Sequence, residues 1–189
     1  MRQWADKGTL RRQLRALHGG DAARRAESEA ICRHILASGW YRRARVIGGY
    51  IPLKWEADVT PVLRQALADG KTLALPLCDA PPCMTLRRVD SLEALIPGAY
   101  GIPEPPRDAP VIPPDEAELL LVPLEGVDGL GFRLGKGGGY YDRLLADCSA
   151  LTLGCALSWQ KVDRLPADPW DRPLRACADA QGIHEFNRL

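Results

Sequence analysis

Leu119-Leu120-Leu121-Val122-Pro123 and, a little further on, Arg133-Leu134-Gly135-Lys136-Gly137-Gly138-Gly139-Tyr140-Tyr141-Asp142-Arg143 are the stretches on which the reading of this chain turns. The first is short, apolar throughout and closed by a proline, which predicts a buried strand. It is expected to run directly into the glycine segment, and Gly139 to Ala146 reads as the opening of a helix. Four glycines within five positions let main-chain N–H groups come close to a ligand. With Arg133 and Lys136 beside them, they predict an anion cradle at a strand-to-helix turn. Tyr140 and Tyr141 offer flat faces and hydroxyls, and Asp142 offers the hard oxygen that Mg²⁺ prefers. The segment spells neither G-x-x-x-x-G-K-[ST] nor a clean G-x-G-x-x-G, so the common nucleotide motifs do not describe it. A loop that merely turns the chain is the structural alternative.

Outward from this segment, helix and strand patterns alternate. Leu10, Leu14 and Leu17 predict an amphipathic helix over 4–17, ended by Gly19-Gly20. Asp21 is the expected N-cap of a second helix to about Ala37, burying Ala30, Ile31 and Ile35. A short strand is expected over 44–51, a helix over 59–69 stopped by Gly70, and strands over 72–76 and 84–89. Seven of the sixteen prolines fall between 97 and 114, which predicts an extended surface loop. The alternation predicts one α/β domain over 1–189, a three-layer unit whose open, mainly parallel (mixed) sheet is flanked by helices. Ligands of such sheets bind beyond the carboxyl ends of strands, where the glycine segment is expected.

Composition excludes several classes. Hydrophobic residues make up 46% and charged residues 26% of the 189, ordinary for a globular chain. No apolar run has the length of a signal peptide or membrane span, so a soluble, cytoplasmic protein with no membrane partner is expected. None of the six cysteines forms C-x-x-C, and they are expected to be free thiols in a reducing compartment. Residues 1–45 hold eleven Lys and Arg against four Asp and Glu, although the whole chain carries only +1. That asymmetry suits an anionic ligand or two solvated Arg-rich helix faces. Nucleic-acid binding would need more than Trp4 and Tyr41, and no recognition motif is present. His18, His34 and His184 share no ligand spacing.

The run from Leu121 to Arg143 resembles the signature of the 5-formyltetrahydrofolate cyclo-ligase family. That signature is approximately V-P-x-x-x-F-D-x-x-G-x-R-L-G-x-G-x-G-Y-Y-D-R. Here it stands as Val122-Pro123, Asp128, Gly131, Arg133-Leu134-Gly135, Gly137 and Gly139-Tyr140-Tyr141-Asp142-Arg143. Lys7-x-x-Leu10-Arg11 is similar to the family's K-x-x-L-R. Tyr50-Ile51-Pro52 with Glu56-Ala57-Asp58 looks like Y-x-P…E-V-D, and Tyr100-Gly101-Ile102-Pro103-Glu104-Pro105 resembles aromatic-G-I-x-x-P. The strand before Gln160 and the turn Trp170-Asp171-x-Pro173-Leu174 match late elements. Two departures stand out: Val127 replaces an aromatic residue before Asp128, and Arg175 stands at the position expected for a second magnesium carboxylate.

The resemblance implies a NagB/RpiA/CoA-transferase-like fold and an ATP- and Mg²⁺-dependent enzyme. Its reaction would cyclise 5-formyltetrahydrofolate to 5,10-methenyltetrahydrofolate through an iminium phosphate, releasing ADP and phosphate. By the same resemblance Lys7, Arg133, Lys136 and Tyr140 are catalytic. ATP would be held by Lys7, Arg11 and the run Arg133, Leu134, Gly135, Lys136, Gly137, Gly138, Gly139, Tyr140 and Tyr141. The folate, with or without a polyglutamate tail, would be held by Ile51, Glu56, Tyr100, Lys136 and Gly137 to Tyr140, with Asp142 on Mg²⁺. The partners are then small molecules only, and a monomer is expected. A non-catalytic paralogue that keeps the nucleotide cradle is the alternative.

Overall fold

In the computed structural model, which describes residues 6–17, 19–80, 82–146 and 148–186, the chain alternates helices and strands as its apolar pattern requires. The order begins α1 (Lys7–Ala16), α2 (Gly20–Ala37), α3 (Gly39–Arg43), β1 (Val46–Gly48), α4 (Thr60–Ala68), β2 (Thr72–Ala80) and β3 (Cys83–Val89). It continues with β4 (Ile96–Pro97), β5 (Pro103–Glu104), β6 (Val111–Ile112), β7 (Leu119–Val122), β8 (Gly126–Val127) and β9 (Arg133–Leu134). α5 (Tyr140–Ala146), β10 (Leu151–Cys155), β11 (Ala176–Asp179) and β12 (Gly182–Glu185) complete it.

Eight strands form one sheet in the order β12-β11-β10-β7-β1-β2-β3-β6. Its centre, from β11 to β2, is parallel, and antiparallel strands extend both edges. All four residues of β7 are buried, and their two faces serve different layers. Leu119 and Leu121 pack with Ile31 and Ile35 of α2 and with Val62 and Leu63 of α4. Leu120 and Val122 pack on the opposite face with Leu144 and Leu145 of α5. A strand buried on both faces reads as a continuous apolar run, and burying each such side chain contributes about 1.5–3 kcal/mol. The expected mainly parallel, helix-flanked sheet is therefore present. No helix among the described residues is long and apolar enough to cross a membrane.

Several local expectations need correction. Asp21 does not cap α2: the helix begins at Gly20 behind Gly19, and Asp21 lies in the first turn, where a carboxylate favours the helix dipole. α1 starts later than expected because Asp6 caps it, its carboxylate accepting from the N–H groups of Gly8 and Thr9 at 2.9 and 3.0 Å. Trp4 and His18 lie outside the described residues. The proline-rich segment is more than a loop, since β4 pairs with β5 and β6 adds an edge strand to β3. Prolines are tolerated there because edge and two-residue strands need few N–H donors. β7 does not enter the glycine segment directly. The hairpin of β8 and β9 intervenes, so the glycines follow a two-residue strand beyond the carboxyl end of β7.

Candidate active site

The glycine loop is displayed by a scaffold in which each neighbouring side chain has a defined task. Asp128 organises the turn before it, its carboxylate accepting from the N–H groups of Leu130, Phe132 and Leu165, each at 3.0 Å. Leu134, expected among the nucleotide contacts, is buried with Leu14 and Leu165. Its side chain is core, so only its backbone can reach a ligand. Gly137 and Gly139 adopt φ of +101° and +68°, a region costly for any residue with a Cβ. Lys136, Gly137 and Gly138 are consequently exposed on a sharply folded loop just before α5.

Helix α1 lays a row of cations along this loop. Leu10 and Leu14 anchor it on Leu134, and the four-residue spacing of Lys7, Arg11 and Arg15 keeps their side chains on one face. Arg11 Nε donates to the Gly135 carbonyl at 2.6 Å, and its guanidinium lies against Gly137. Arg15 forms an ion pair with the buried Glu125 and covers the Trp55 ring at 4.9 Å. Lys7 is not at the glycines: its ammonium donates to Asp168 and Asp171 at 2.7 and 2.6 Å. Burial opposes the Lys7 charge, but the two carboxylates outweigh it and raise its pKa. In the sequence Asp171 stood out only as part of the Trp170–Leu174 turn, and Asp168 did not stand out at all. The charge complement of Lys7 was the available signal, but nothing in the sequence says which turn meets a residue 160 positions away.

Arg133 departs from expectation as well. It does not extend toward the loop's open side. Its side chain is 3% exposed, and Nη2 donates to Asp142 Oδ1 at 2.8 Å beside the Tyr141 ring. Its Nε is buried without a partner among the described residues. Tyr141 turns inward too, and burial pushes its phenol well up. Asp142 keeps its second oxygen free at the start of α5. No cluster of three His, Cys, Asp or Glu side chains suited to a metal occurs among the described residues. One accessible carboxylate does fit Mg²⁺, which keeps several waters and takes remaining oxygens from phosphates.

On the other side of the loop, Lys136 forms an ion pair with Glu56 at 3.4 Å. Glu56 is 2% exposed and also accepts from the Leu53 N–H at 2.8 Å. Burial raises the Glu56 pKa, and Lys136 partly offsets that rise. Ile51 is partly buried and packs against the core that holds α2 and α4. Tyr100 is 72% exposed and holds a φ of +59°, rare for a tyrosine. Its hydroxyl meets that of Tyr140 at 3.0 Å, and the rings stand edge to face with centroids 6.4 Å apart. This hydrogen bond pushes the Tyr140 phenol up to about 12. A cleft of about 320 Å³ opens between β2 and the 96–107 segment, lined at one point by Ala99.

One of the two departures from the family pattern, Val127, lies directly across the β8–β9 hairpin from Arg133. Val127 is buried in the α5-side core, and Arg175 forms an ion pair with Glu185 at the sheet edge. Tyr41 is core rather than a stacking surface, its hydroxyl donating to Asp69 at 2.7 Å. The loop, its flanking cations, an accessible carboxylate, the Tyr100–Tyr140 pair and a largely apolar cleft can together hold a phosphorylated ligand next to a second, ring-containing one.

Comparison with known proteins points to one family. The model of the 5-formyltetrahydrofolate cyclo-ligase family matches residues 3–178. A 5-formyltetrahydrofolate cyclo-ligase of Escherichia coli K12 is 31% identical over 150 residues, covering 76% of this chain and 82% of that protein. One from Mycolicibacterium smegmatis is 31% identical over 160 residues, covering 80% of each. The solved 5,10-methenyltetrahydrofolate synthetase of Aquifex aeolicus superposes with a TM-score of 0.85 at 32% identity, covering 97% of this chain and 94% of that one.

Proposed function

The chain belongs to the 5-formyltetrahydrofolate cyclo-ligase family, and on that premise we propose that it uses ATP and Mg²⁺ to close 5-formyltetrahydrofolate to 5,10-methenyltetrahydrofolate at the glycine loop. The observation that carries the ATP assignment is the exposed Lys136–Gly138 backbone with the Arg11 guanidinium folded against it. Formamide oxygen is a poor leaving group, so the chemistry must first convert it into a better one. The γ-phosphoryl group moves from ATP to the formyl oxygen, leaving ADP and an iminium phosphate. N10 then attacks the formyl carbon, the C–O bond breaks, inorganic phosphate departs, and N10 loses its proton.

Phosphoryl transfer asks the protein chiefly for positioning and charge neutralisation. Arg11 and Lys136 supply cations at the loop, and its N–H groups supply donors. Lys7 reaches the same ligand only by leaving Asp168 and Asp171. Arg133 acts through Asp142, holding one oxygen so that the other faces the phosphates. A magnesium ion bound there by Asp142, phosphate oxygens and water would neutralise developing charge. Glu56, beside Lys136, accepts N–H donors of the pterin, and Tyr100 and Tyr140 cover its face. The six free thiols support a reducing, cytoplasmic setting.

The test is turnover. Protein, ATP, Mg²⁺ and 5-formyltetrahydrofolate should together yield the methenyl chromophore, with one ADP per product. Absence of product from folded protein contradicts the reading and leaves the non-catalytic alternative.

A further inference from the structure

Helix α1 is lightly seated. Of its ten residues only Leu14 is buried, held with Leu134 and Leu165. At its first turn Lys7 sits on Asp168 and Asp171, so reaching a phosphate means drawing that turn away from them. A helix with so few apolar contacts shifts at low cost, and it shifts as one piece because its own hydrogen bonds keep it rigid.

The far end of α1 is tied down by a residue that phosphoryl transfer does not use. Arg15 lies one turn beyond Arg11. Its Nε donates to Glu125 Oε2 at 3.0 Å and its Nη2 pairs with Oε1, a two-pronged grip on a carboxylate whose side chain is 1% exposed. The same guanidinium covers the Trp55 ring at 4.9 Å. Glu125 stands just before β8, and its N–H donates to the Leu134 carbonyl at 2.8 Å, next to the start of the glycine loop. Trp55 immediately precedes Glu56. Gln160 braces both segments, its Nε2 donating to the Leu124 carbonyl at 2.8 Å and to the Trp55 carbonyl at 3.3 Å.

These contacts close a ring. Arg11 holds the glycine loop at Gly135, Lys136 of that loop pairs with Glu56, and Trp55 beside Glu56 lies under Arg15 on the helix that carries Arg11. Electrostatics follow the same path: burial is the main cause of the raised Glu56 pKa, and the Glu125 carboxylate adds to it.

We propose that Arg15 is a positioning residue that couples the two ligands, so that a nucleotide drawing α1 onto the glycine loop also sets Trp55 and Glu56 for the pterin, and the reverse. Arg15 has this role on the ATP and folate reading above, and it touches neither ligand. With the tie in place, the first ligand orders both halves of the site and the second binds at less entropic cost. Without it, each ligand orders its own half alone.

Calorimetry of a non-hydrolysable ATP analogue with Mg²⁺, with and without saturating 5-formyltetrahydrofolate, reads this coupling without turnover. Wild type should bind the analogue roughly tenfold more tightly when the folate is bound, and the folate should gain the same factor from the analogue. Arg15→Met combined with Glu125→Leu replaces the ion pair by apolar side chains and leaves no buried charge alone. This paired variant should still bind each ligand singly, with the factor reduced to about twofold or less. A merely structural ion pair would change stability, or weaken both ligands equally, and leave the factor intact. That result overturns the proposal, as does a wild type that binds both ligands independently. Should the paired variant not fold, Trp55→Leu keeps the ion pair, removes the ring under Arg15 and should lose the same factor, whereas an undiminished factor overturns the proposal. Failure of wild type to bind either ligand overturns the ATP and folate reading itself.

Discussion

The Arg133 guanidinium donates to Asp142 Oδ1 across 2.8 Å from a side chain that is only 3% exposed, so this cation, two residues before the first glycine of the loop, faces inward. Its charge is committed to orienting a carboxylate, which leaves Arg11 and Lys136 as the cations at the exposed face of the loop.

Breaking that pair should separate stability from activity. Asp142→Asn leaves a buried guanidinium without its counter-charge and should destabilise by about 1–3 kcal/mol, less than for a fully buried pair because Asp142 is partly solvated. Activity should fall at least ~100-fold if Asp142 supports Mg²⁺ at a charge-developing step. Adding Arg133→Met should restore part of the stability and none of the activity. Urea unfolding and steady-state rates on the four proteins of the cycle check both statements.

The Lys7 pairs should be unequal. Asp171 has a side chain 11% exposed and also accepts from the Asp168 N–H at 2.8 Å, while Asp168 is 44% exposed. Asp171→Asn should therefore cost about 1–2 kcal/mol and Asp168→Asn under about 0.5 kcal/mol. Equal losses on denaturation would contradict this placement.

Glu56 gives a pH prediction. Burial raises its pKa above the ordinary 4.5, so the native state holds this proton more tightly than the unfolded chain. Its contribution to stability is most favourable below 4.5 and declines as pH rises through the folded value. Glu56→Gln should lose that decline. The stability difference, variant minus wild type, should grow from pH 4.5 upward and then level off. A difference that is flat or shrinks with pH would contradict the burial of the ionised group.

Tyr100 and Tyr140 make a spectroscopic prediction. With Tyr100→Phe, the phenol now pushed up to about 12 should titrate closer to the ordinary value of ~10. Absorbance of the phenolate near alkaline pH reports it. An unchanged titration curve would mean that the two hydroxyls are not bonded in solution.

Much of this arrangement was legible in the sequence because it rests on local pattern. The β7 apolar run, the helical spacing in α2 and α4, and the glycine cluster each depend on neighbours a few residues apart. What was not legible depends on long-range charge pairing. Arg133, Lys136 and Lys7 look alike on a line of text, and only packing assigns them to Asp142, Glu56 and the Asp168–Asp171 turn. The motif likewise does not say which atoms face a ligand: Leu134 is buried with Leu14 and Leu165, which leaves only its backbone for that role. The hairpin of β8 and β9 escaped because two-residue strands carry no periodicity to detect.

The central claim is that ATP activates the formyl oxygen at this loop. Single-turnover reaction of 5-formyltetrahydrofolate labelled with ¹⁸O in the formyl group, followed by mass analysis of the inorganic phosphate, tests it most directly. The account predicts one ¹⁸O atom in each phosphate released. Unlabelled phosphate accompanying methenyl product would contradict it.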